Sequence, residues 1–477
     1  MPGIGYLAAL VMMIFTAVTS ASMGAAILSG DWQAVEAFAL LSIAYAALAY
    51  FTFQIAPART KNTNTAGVFS AAIIIWLTLV VAAMPAFMIL EDANLALAFF
   101  EAASAATTLG SSLTAISEMS MSMIVYRSAT AWSGGLLTLM LAVYVLGRYA
   151  VGGTPNRDLR FVLHGVGHGD QRLFQTFVEV GVPYGALTLI AAALLALTRV
   201  EPAHALIGAL NIMSTNGFVG WQTAGSLFNN RVAEILAMVF MMIAASSIIW
   251  QKALVANRMR QTRDQGETGE FWVFALAAIA VGIVFSVTVY PISGSFGDAV
   301  LNRGFDIVSI LTTTGITNNI YSGISVPIIF VLALALIGGN SYSTAGGLKF
   351  FRLRSMMRHS RNEILRLVYP NQILPGSVDA SSANFEQAKA TWSAFISTLI
   401  FILMVTIVFA SLGHNFIAAL NLSVGSFSSV GNLVSNNLFV SGGEEVSVFT
   451  LLTVGFTAMA GRVELLVILA AISRNRW

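Results

Sequence analysis

The chain alternates long apolar stretches with short polar connections over nearly its whole length. A helix needs about 20 consecutive apolar residues to cross the hydrocarbon core of a bilayer. The first stretch is too long for a signal peptide and has no positive charge before it, which favours a retained span. Ten stretches are predicted to be membrane spans, near 5–28, 35–55, 67–90, 121–147, 173–198, 231–256, 270–290, 324–337, 386–412 and 445–472.

Four shorter apolar stretches follow the third, fifth, seventh and ninth predicted spans. They cover 95–106, 203–214, 300–312 and 415–428. Stretches of about 10–14 residues are too short to cross a bilayer and favour re-entrant segments. We therefore predict four half-helices that enter the membrane and return on the same side.

Each short stretch ends in hydroxyl-bearing residues followed by a glycine. These glycines are Gly110, Gly217, Gly315 and Gly431, separated by 107, 98 and 116 residues. The order of span, half-helix, hydroxyl–glycine turn and span thus occurs four times. We predict two leading spans (1–60) and four repeated units, 61–160, 161–262, 263–375 and 376–477.

Composition agrees with an all-α polytopic membrane protein. Of the 477 residues 57% are hydrophobic and 10% are charged, with a mean hydropathy of +0.79, whereas soluble domains carry about 25% charged residues. This balance excludes a disordered chain and a nucleic-acid-binding module. The absence of cysteine excludes disulfides and thiolate metal sites.

The basic residues indicate the orientation, because cytoplasmic loops are enriched in lysine and arginine. Of the 24 basic residues, 19 fall on one predicted side, including six in the stretch 349–366 and two near the carboxyl terminus. We predict that this side is cytoplasmic and that both termini lie there. The four half-helices then enter from the outside.

The four turns are candidates for binding a monovalent cation. Irregular backbone at membrane depth is tolerated where it lines a watery cavity, and rings of backbone carbonyls can replace the hydration shell of an ion. Half-helix carboxyl termini add partial negative charge, and none of the turns contains a carboxylate. Packing faces of membrane helices are also rich in glycine and serine, but four turns in the same order favour a ring. The candidate potassium-binding residues are Thr108, Leu109, Gly110, Thr215, Asn216, Gly217, Thr313, Thr314, Gly315, Ser429, Val430 and Gly431.

A second candidate region lies at 337–349, where glycines interrupt the apolar pattern. Each glycine weakens a helix by up to about 1 kcal/mol, and serine and threonine stabilise turns instead. The pattern predicts an irregular loop at membrane depth, with an ordinary cytoplasmic turn as the alternative. The residues concerned are Gly338, Gly339, Ser343, Thr344, Gly346, Gly347 and Lys349.

Arg462 lies deep within the last apolar stretch. A charge at that depth is costly and tends to face the protein interior or a water-filled path. Pairing with Glu464 is the alternative, but residues two apart on a helix do not face each other. We therefore favour a position for Arg462 near the pathway.

Several motifs resemble the Trk/Ktr/HKT superfamily of potassium transporters, and its Trk-type membrane subunits in particular. Besides the four turns, the resemblance rests on Tyr126-Arg127 with Trp132-Ser133-Gly134-Gly135, on the glycine-rich stretch 338–349, and on Gly461-Arg462-Val463-Glu464. Leu109, Ser111 and the pair Asn432-Leu433 depart from the expected forms. The resemblance covers essentially the whole chain.

The resemblance implies a channel-like pore of four non-identical units that carries potassium, with no other cofactor. It implies that the loop 337–349 gates the pore and that Arg462 is a positive barrier beside that loop. It also implies a homodimer in the bacterial inner membrane with a cytosolic nucleotide-binding regulatory subunit.

Three other functions remain as alternatives from the sequence. A less selective sodium and potassium transporter would use the same turns. A secondary transporter of a small solute would have broken helices around a midplane site and inverted repeats. A membrane enzyme would need acids, bases or metal ligands clustered at one depth, and the sequence has no such cluster and no phosphate-binding loop, so we predict no enzyme.

Overall fold

The computed structural model describes residues 4–55, 65–147, 149, 151–153, 170–220, 230–255, 267–288, 296–317, 327–369, 380–438 and 446–472. Within these ranges the chain is helical, with no strand. This agrees with the predicted all-α class. The α-helices are α1 (Ile4–Ser29), α2 (Trp32–Ile55), α3 (Thr65–Leu90), α4 (Leu95–Ala106), α5 (Met121–Leu141), α6 (Asp170–Leu197), α7 (Pro202–Met213), α8 (Arg231–Ala244), α9 (Ile248–Val255), α10 (Glu267–Thr288), α11 (Phe296–Leu311), α12 (Ile328–Ile337), α13 (Phe350–Val368), α14 (Ala380–Ser411), α15 (Phe416–Ser428), α16 (Gly431–Ser435), α17 (Val448–Val463) and α18 (Leu465–Ile472).

The long helices make this an integral membrane protein. Among the described residues six helices are long and apolar enough to cross a bilayer, or up to eight if each bent pair forms one span. Helix α12 has only 10 residues and is too short to cross alone. The predicted span near 324–337 is therefore a partial span, followed by an irregular segment.

Two of the predicted spans, near 231–256 and 445–472, are bent pairs of helices rather than single helices. Helices α8 and α9 meet at 116°, and α17 and α18 meet at 91°. At the first break the Gln251 side-chain amide donates to the carbonyls of Ile243 (2.9 Å) and Ser246 (3.1 Å), so it replaces lost helix bonds. At the second break Glu464 has a left-handed backbone with φ of 67°.

The four predicted half-helices are present as α4, α7, α11 and α15, within four residues of the predicted bounds. The side chains of Asn94 and Asn415 cap α4 and α15 by accepting hydrogen bonds from main-chain amides, at 2.9 and 2.8 Å. Pro202 begins α7, where its missing N–H costs no helix bond. The bounds follow from these caps at one end and from the glycine turns at the other.

The half-helices are packed in a cyclic order. Each contacts the first and the last long helix of its own unit: α3 and α5 for α4, α6 and α8 for α7, α10 and α12 for α11, and α14 and α17 for α15. Each also contacts the second span of the preceding unit: α17 for α4, α5 for α7, α8 for α11, and α12 for α15. The contact between α17 and α4 closes the cycle.

Candidate functional site

The four turn glycines lie against one another in a closed cycle. A Cβ atom built on Gly110 would meet the main-chain amides of Gly217 and Phe218, and one on Gly217 would lie 2.8 Å from the carbonyl of Thr314. A Cβ on Gly315 would lie 3.0 Å from the amide of Gly431. The cycle closes because a Cβ on Gly431 would meet the carbonyl of Leu109 and lie 2.9 Å from the carbonyl carbon of Gly110. We call the four turns and these glycines the glycine ring.

The four half-helices end with the same backbone conformation. The residue two before each glycine is left-handed, with φ of 55° to 59°, although it is a threonine or serine. This conformation is uncommon for residues other than glycine. The residues are Thr108, Thr215, Thr313 and Ser429.

The hydrogen bonds at these ends also repeat. The amide just before each glycine donates to the carbonyl five residues earlier, at 2.8 to 2.9 Å, as in Leu109 to Ser104 and Thr314 to Ser309. The left-handed residue donates to the carbonyl three residues earlier, at 3.0 to 3.3 Å. These are the two bonds of a Schellman helix end, in which glycine usually takes the left-handed place. Four equal helix ends therefore meet at the glycine ring.

The ring is buried and carries no formal charge. Ten of the twelve predicted ring residues are buried, and the other two, Gly110 and Gly217, are partly exposed. The side chains of Ser428, Ser429 and Asn216 each keep a buried oxygen without a hydrogen-bond partner among the described residues. Such atoms are uncommon in folded proteins. Neutral oxygens and four helix carboxyl termini provide a site with partial negative charge, which suits a cation of low charge.

The second turn differs because two asparagine side chains behind it are joined by hydrogen bonds. The Nδ2 atom of Asn216 donates to Asn211 Oδ1 at 2.7 Å, and Asn211 Nδ2 donates to Ser128 Oγ at 3.0 Å. Leu109, Thr314 and Val430 occupy the place of Asn216 in the other turns. The four quarters of the ring thus share the conformation of the helix end but differ in side chains, and only two of the glycines, Gly110 and Gly315, have a positive φ.

The irregular segment 338–349 contacts three of the four turns directly. Thr344 Oγ1 lies 3.2 Å from the carbonyl of Met213, at the end of the second half-helix. The amide of Gly346 donates to Thr313 Oγ1 at 2.7 Å, and a Cβ on Gly346 would meet the carbonyl of Ser428. The segment therefore lies beneath the ring, on the side where the half-helices end. We call it the intramembrane loop.

Buried polar contacts hold the intramembrane loop in place. Thr344 Oγ1 also lies 3.1 Å from the carbonyl of Ala244, at the break after α8, and the amide of Asn340 donates to the carbonyl of Ala245 at 2.9 Å. Ser343 Oγ donates to the carbonyl of Asn340 at 2.7 Å. The residues from 338 to 346 are all buried, which argues against an ordinary cytoplasmic turn.

Gly338, Gly347 and Lys349 give the loop its path. All three have left-handed backbones, with φ of 66°, 73° and 73°. Gly338 also lies close to the later part of the loop, where a Cβ on Gly338 would meet the carbonyl of Gly346. The Lys349 ammonium donates to the carbonyls of Ser343, at 3.3 Å, and of Ala345. Lys349 thus fixes the loop's own backbone and faces inward.

Arg462 connects the loop to the remaining turn. Its Nε donates to the carbonyl of Thr107 at 2.7 Å, Nη2 donates to Thr108 Oγ1, and Nη1 donates to the carbonyl of Thr344. The side chain is 3% exposed. The position near the loop follows the prediction, and pairing with Glu464 does not occur.

Glu464 instead pairs with Arg352, a contact that sequence reasoning missed. Arg352 Nη2 lies 2.5 Å from Glu464 Oε2, and Arg352 Nε donates to the carbonyl of Gly152 at 3.1 Å. The pair joins the start of α13 to the break between α17 and α18. A lone acid within an apolar stretch was the available indication, but no spacing rule connects positions 352 and 464.

The described residues contain no group of three or more histidine, cysteine, aspartate or glutamate side chains that could hold a metal ion.

The fold and the glycine ring together define a class: a polytopic α-helical membrane protein in which four half-helices converge on one centre. No protein-family model matches the chain.

Comparison with curated proteins identifies similar chains. The chain is 25% identical over 376 residues to the Trk system potassium uptake protein TrkG of Escherichia coli K12, covering 76% of this chain and 75% of the relative. It is 25% identical over 397 residues to the Trk system potassium uptake protein TrkH of Halomonas elongata, covering 80% of each. The predicted resemblance to Trk-type membrane subunits is confirmed over most of the chain, and these relatives are transport proteins rather than enzymes.

The fold is similar to a solved structure. The crystal structure of the potassium transporter TrkH from Vibrio parahaemolyticus aligns with a TM-score of 0.79, covering 98% of this chain and 97% of the other, at 20% identity. At this identity the likeness establishes the fold alone.

Proposed function

We propose that this protein takes up potassium through a channel-like path whose selective point is the glycine ring. The observation that carries the proposal is the closed cycle of glycine contacts, because it brings four equal helix ends to one centre. The names of the curated relatives support potassium as the substrate.

Cation binding at the ring would rest on main-chain and hydroxyl oxygens. Peptide carbonyls can replace the hydration shell of a monovalent cation without a bound counter-charge. The four half-helix carboxyl termini add partial negative charge around the same centre. A membrane potential, negative inside, would then drive a cation inward with about 2.3 kcal/mol per charge per 100 mV.

The intramembrane loop would be the gate of this path. It lies beneath the ring, contacts three turns and is tied to the first turn through Arg462. Arg462 and Lys349 place two basic groups below the ring, where they oppose a passing cation. Opening would require the loop to leave these contacts, so the loop and Arg462 would move together.

Two alternatives use the same fold. The differing side chains of the four turns support a less selective sodium and potassium transporter as the closer one. A secondary transporter of a small solute is less well supported, because the half-helices pack in one cyclic order with the same sense, whereas that class has inverted repeats.

Further expectations follow from the resemblance. We expect the bacterial inner membrane as the location, cytoplasmic termini, a homodimer, and a cytosolic nucleotide-binding regulatory subunit as partner. The exposed basic residues Arg358 and Arg361 on α13, after the loop, support a cytoplasmic surface in that region. Light scattering of the purified protein in detergent tests the dimer.

The decisive experiment is a flux measurement on purified protein in proteoliposomes under an imposed potential, negative inside. Potassium, rubidium, sodium and lithium are compared at equal concentration. We expect potassium and rubidium to pass faster than sodium and lithium. Equal fluxes of potassium and sodium would favour the less selective transporter, and no cation flux above that of empty vesicles would contradict the proposal.

A further inference from the structure

A buried ion pair lies behind the first turn and does not form part of the proposed ion path. Glu101 of α4 is 0% exposed, and Arg127 of α5 is 2% exposed. Arg127 Nη2 lies 2.5 Å from Glu101 Oε2. Two charges so far from water need a specific set of contacts to offset their lost hydration.

Glu101 holds the residues that follow Gly110. Its Oε1 accepts a hydrogen bond from the amide of Leu113 at 2.8 Å and another from Ser112 Oγ at 3.2 Å. These residues form the outer continuation of the first turn, beyond the glycine. The carboxylate therefore fixes where this part of the chain leaves the ring.

Arg127 reaches from the first turn to the second. Its Nη2 lies 3.5 Å from the carbonyl of Ser111, and its guanidinium lies 5.0 Å from the ring centre of Phe218, the residue after Gly217. The guanidinium also lies 5.2 Å from the ring centre of Phe87. Cations near aromatic faces are attracted by the ring quadrupole, so Arg127 connects the outer parts of two neighbouring turns.

A second acid nearby supports the same outer segment. Glu91, just after α3, accepts a hydrogen bond from Thr114 Oγ1 at 3.1 Å. Burial raises the pKa of Glu91, and the charge of Arg127 opposes that shift. Among the described residues, the contact with Phe218 is made by Arg127, the partner of Glu101.

An acid at this place is not present in every unit. The place of Glu101, nine residues before the glycine, is held by Gly208 in the second unit, Asp306 in the third and Leu422 in the fourth. The second and fourth half-helices therefore have no acid there.

We propose that Glu101 and Arg127 are positioning residues that fix the spacing between the outer parts of the first and second turns, and thereby contribute to the preference for potassium over sodium. This inference rests on the proposed function. The pair binds no ion itself and acts through the main chain after Gly110 and through Phe218.

The test compares variants by the ratio of rubidium to sodium flux in proteoliposomes. In Glu101→Gln the side chain keeps its shape but loses its charge, and we expect the ratio to fall at least about fivefold, the lower range of coupling between linked sites. Arg127→Lys keeps the charge but lacks the planar group, so an intermediate ratio is expected. Phe218→Leu leaves the ion pair intact and removes the aromatic contact between Arg127 and the second turn. It therefore tests the connection between the two turns if Glu101→Gln does not fold.

The matched control is Glu234→Gln. Glu234 is also buried and pairs with Arg231 at 2.9 Å, but Arg231 bonds to Asn302, 13 residues before the third glycine. We expect this variant to keep the wild-type flux ratio even if its thermal stability falls.

The outcomes are distinct. A lowered ratio in Glu101→Gln or Phe218→Leu with an unchanged ratio in the control supports the inference. An unchanged ratio in folded Glu101→Gln and Phe218→Leu, or an equal fall in the control, overturns it. Absence of selective flux in the wild-type protein would instead overturn the proposed function.

Discussion

Substitution of Gly217 by alanine tests the glycine ring most directly. Gly217 does not have a left-handed backbone, so alanine can adopt its conformation and only the new methyl group matters. That methyl would lie 2.8 Å from the carbonyl oxygen of Thr314, whereas ordinary contact begins at 3.4 Å. The second and third turns would have to separate by about 0.6 Å, because a main-chain oxygen cannot rotate away.

The size of the effect follows from this overlap. Adding a methyl group to a closely packed site costs about 1–3 kcal/mol. If that cost falls on the closed, ion-binding ring, potassium binding weakens by about 5- to 150-fold. We therefore expect Gly217→Ala to abolish growth on limiting potassium and to retain partial growth at high potassium.

The assay uses a host that lacks its own potassium uptake, with initial rates of rubidium uptake and the amount of protein in the membrane measured in parallel. Gly304→Ala is the matched control, since Gly304 lies in the third half-helix and a Cβ there would meet nothing within 4 Å. Alanine should even stabilise that helix by about 0.5–1 kcal/mol. Wild-type uptake by Gly217→Ala, or equal loss in Gly304→Ala, would refute the reasoning.

Three further substitutions test the loop and its supports. Arg462→Gln loses the charge that ties the first turn to the loop, so we expect higher resting rubidium uptake; unchanged uptake at equal protein amount would contradict the barrier role. Gly346→Ala places a methyl group against the carbonyl of Ser428, so the loop should be displaced and resting uptake raised, unlike in Gly24→Ala, where the space is open. Glu464→Gln removes one charge of an ion pair in which Arg352 is buried and Glu464 is half-buried. It should cost less than a fully buried pair, for which the loss is about 3–5 kcal/mol, seen as a lower unfolding temperature in detergent. A wild-type value would show that the pair adds no stability.

The half-helices were predictable because their limits are local. Asn94 and Asn415 are capping residues, Pro202 is a typical first residue, and each stretch ends at hydroxyl residues before a glycine. Apolar length alone then separates half-helices from spans. These features need no knowledge of the rest of the chain.

The helix breaks were not predictable in the same way. Both broken spans read as continuous apolar stretches, although Gln251 bonds locally across the first break, and Glu464 at the second break pairs with the distant Arg352. The left-handed backbones at Thr108 and its three equivalents were also missed. Threonine and serine disfavour that conformation, and only the surrounding fold imposes it.

The intramembrane loop was predictable in position but not in its contacts. Its glycines show that a helix cannot continue, yet the bond from Thr344 to Met213 joins two different units, and the bond from Gly346 to Thr313 joins residues far apart in one unit. The ion pairs Glu101–Arg127 and Arg352–Glu464 also depend on how separate helices meet. Pairings of this kind have no spacing that a single sequence displays.

The cyclic order of the glycines has a consequence for how such a protein can evolve. One polypeptide supplies every quarter of the ring, so a single codon change alters one quarter and leaves three intact. In a channel assembled from four identical subunits the same change would be imposed four times. If the ring selects the ion as proposed, the different neighbours of the four glycines are separate positions at which selection can change ion preference in small steps. These neighbours are Leu109, Asn216, Thr314 and Val430.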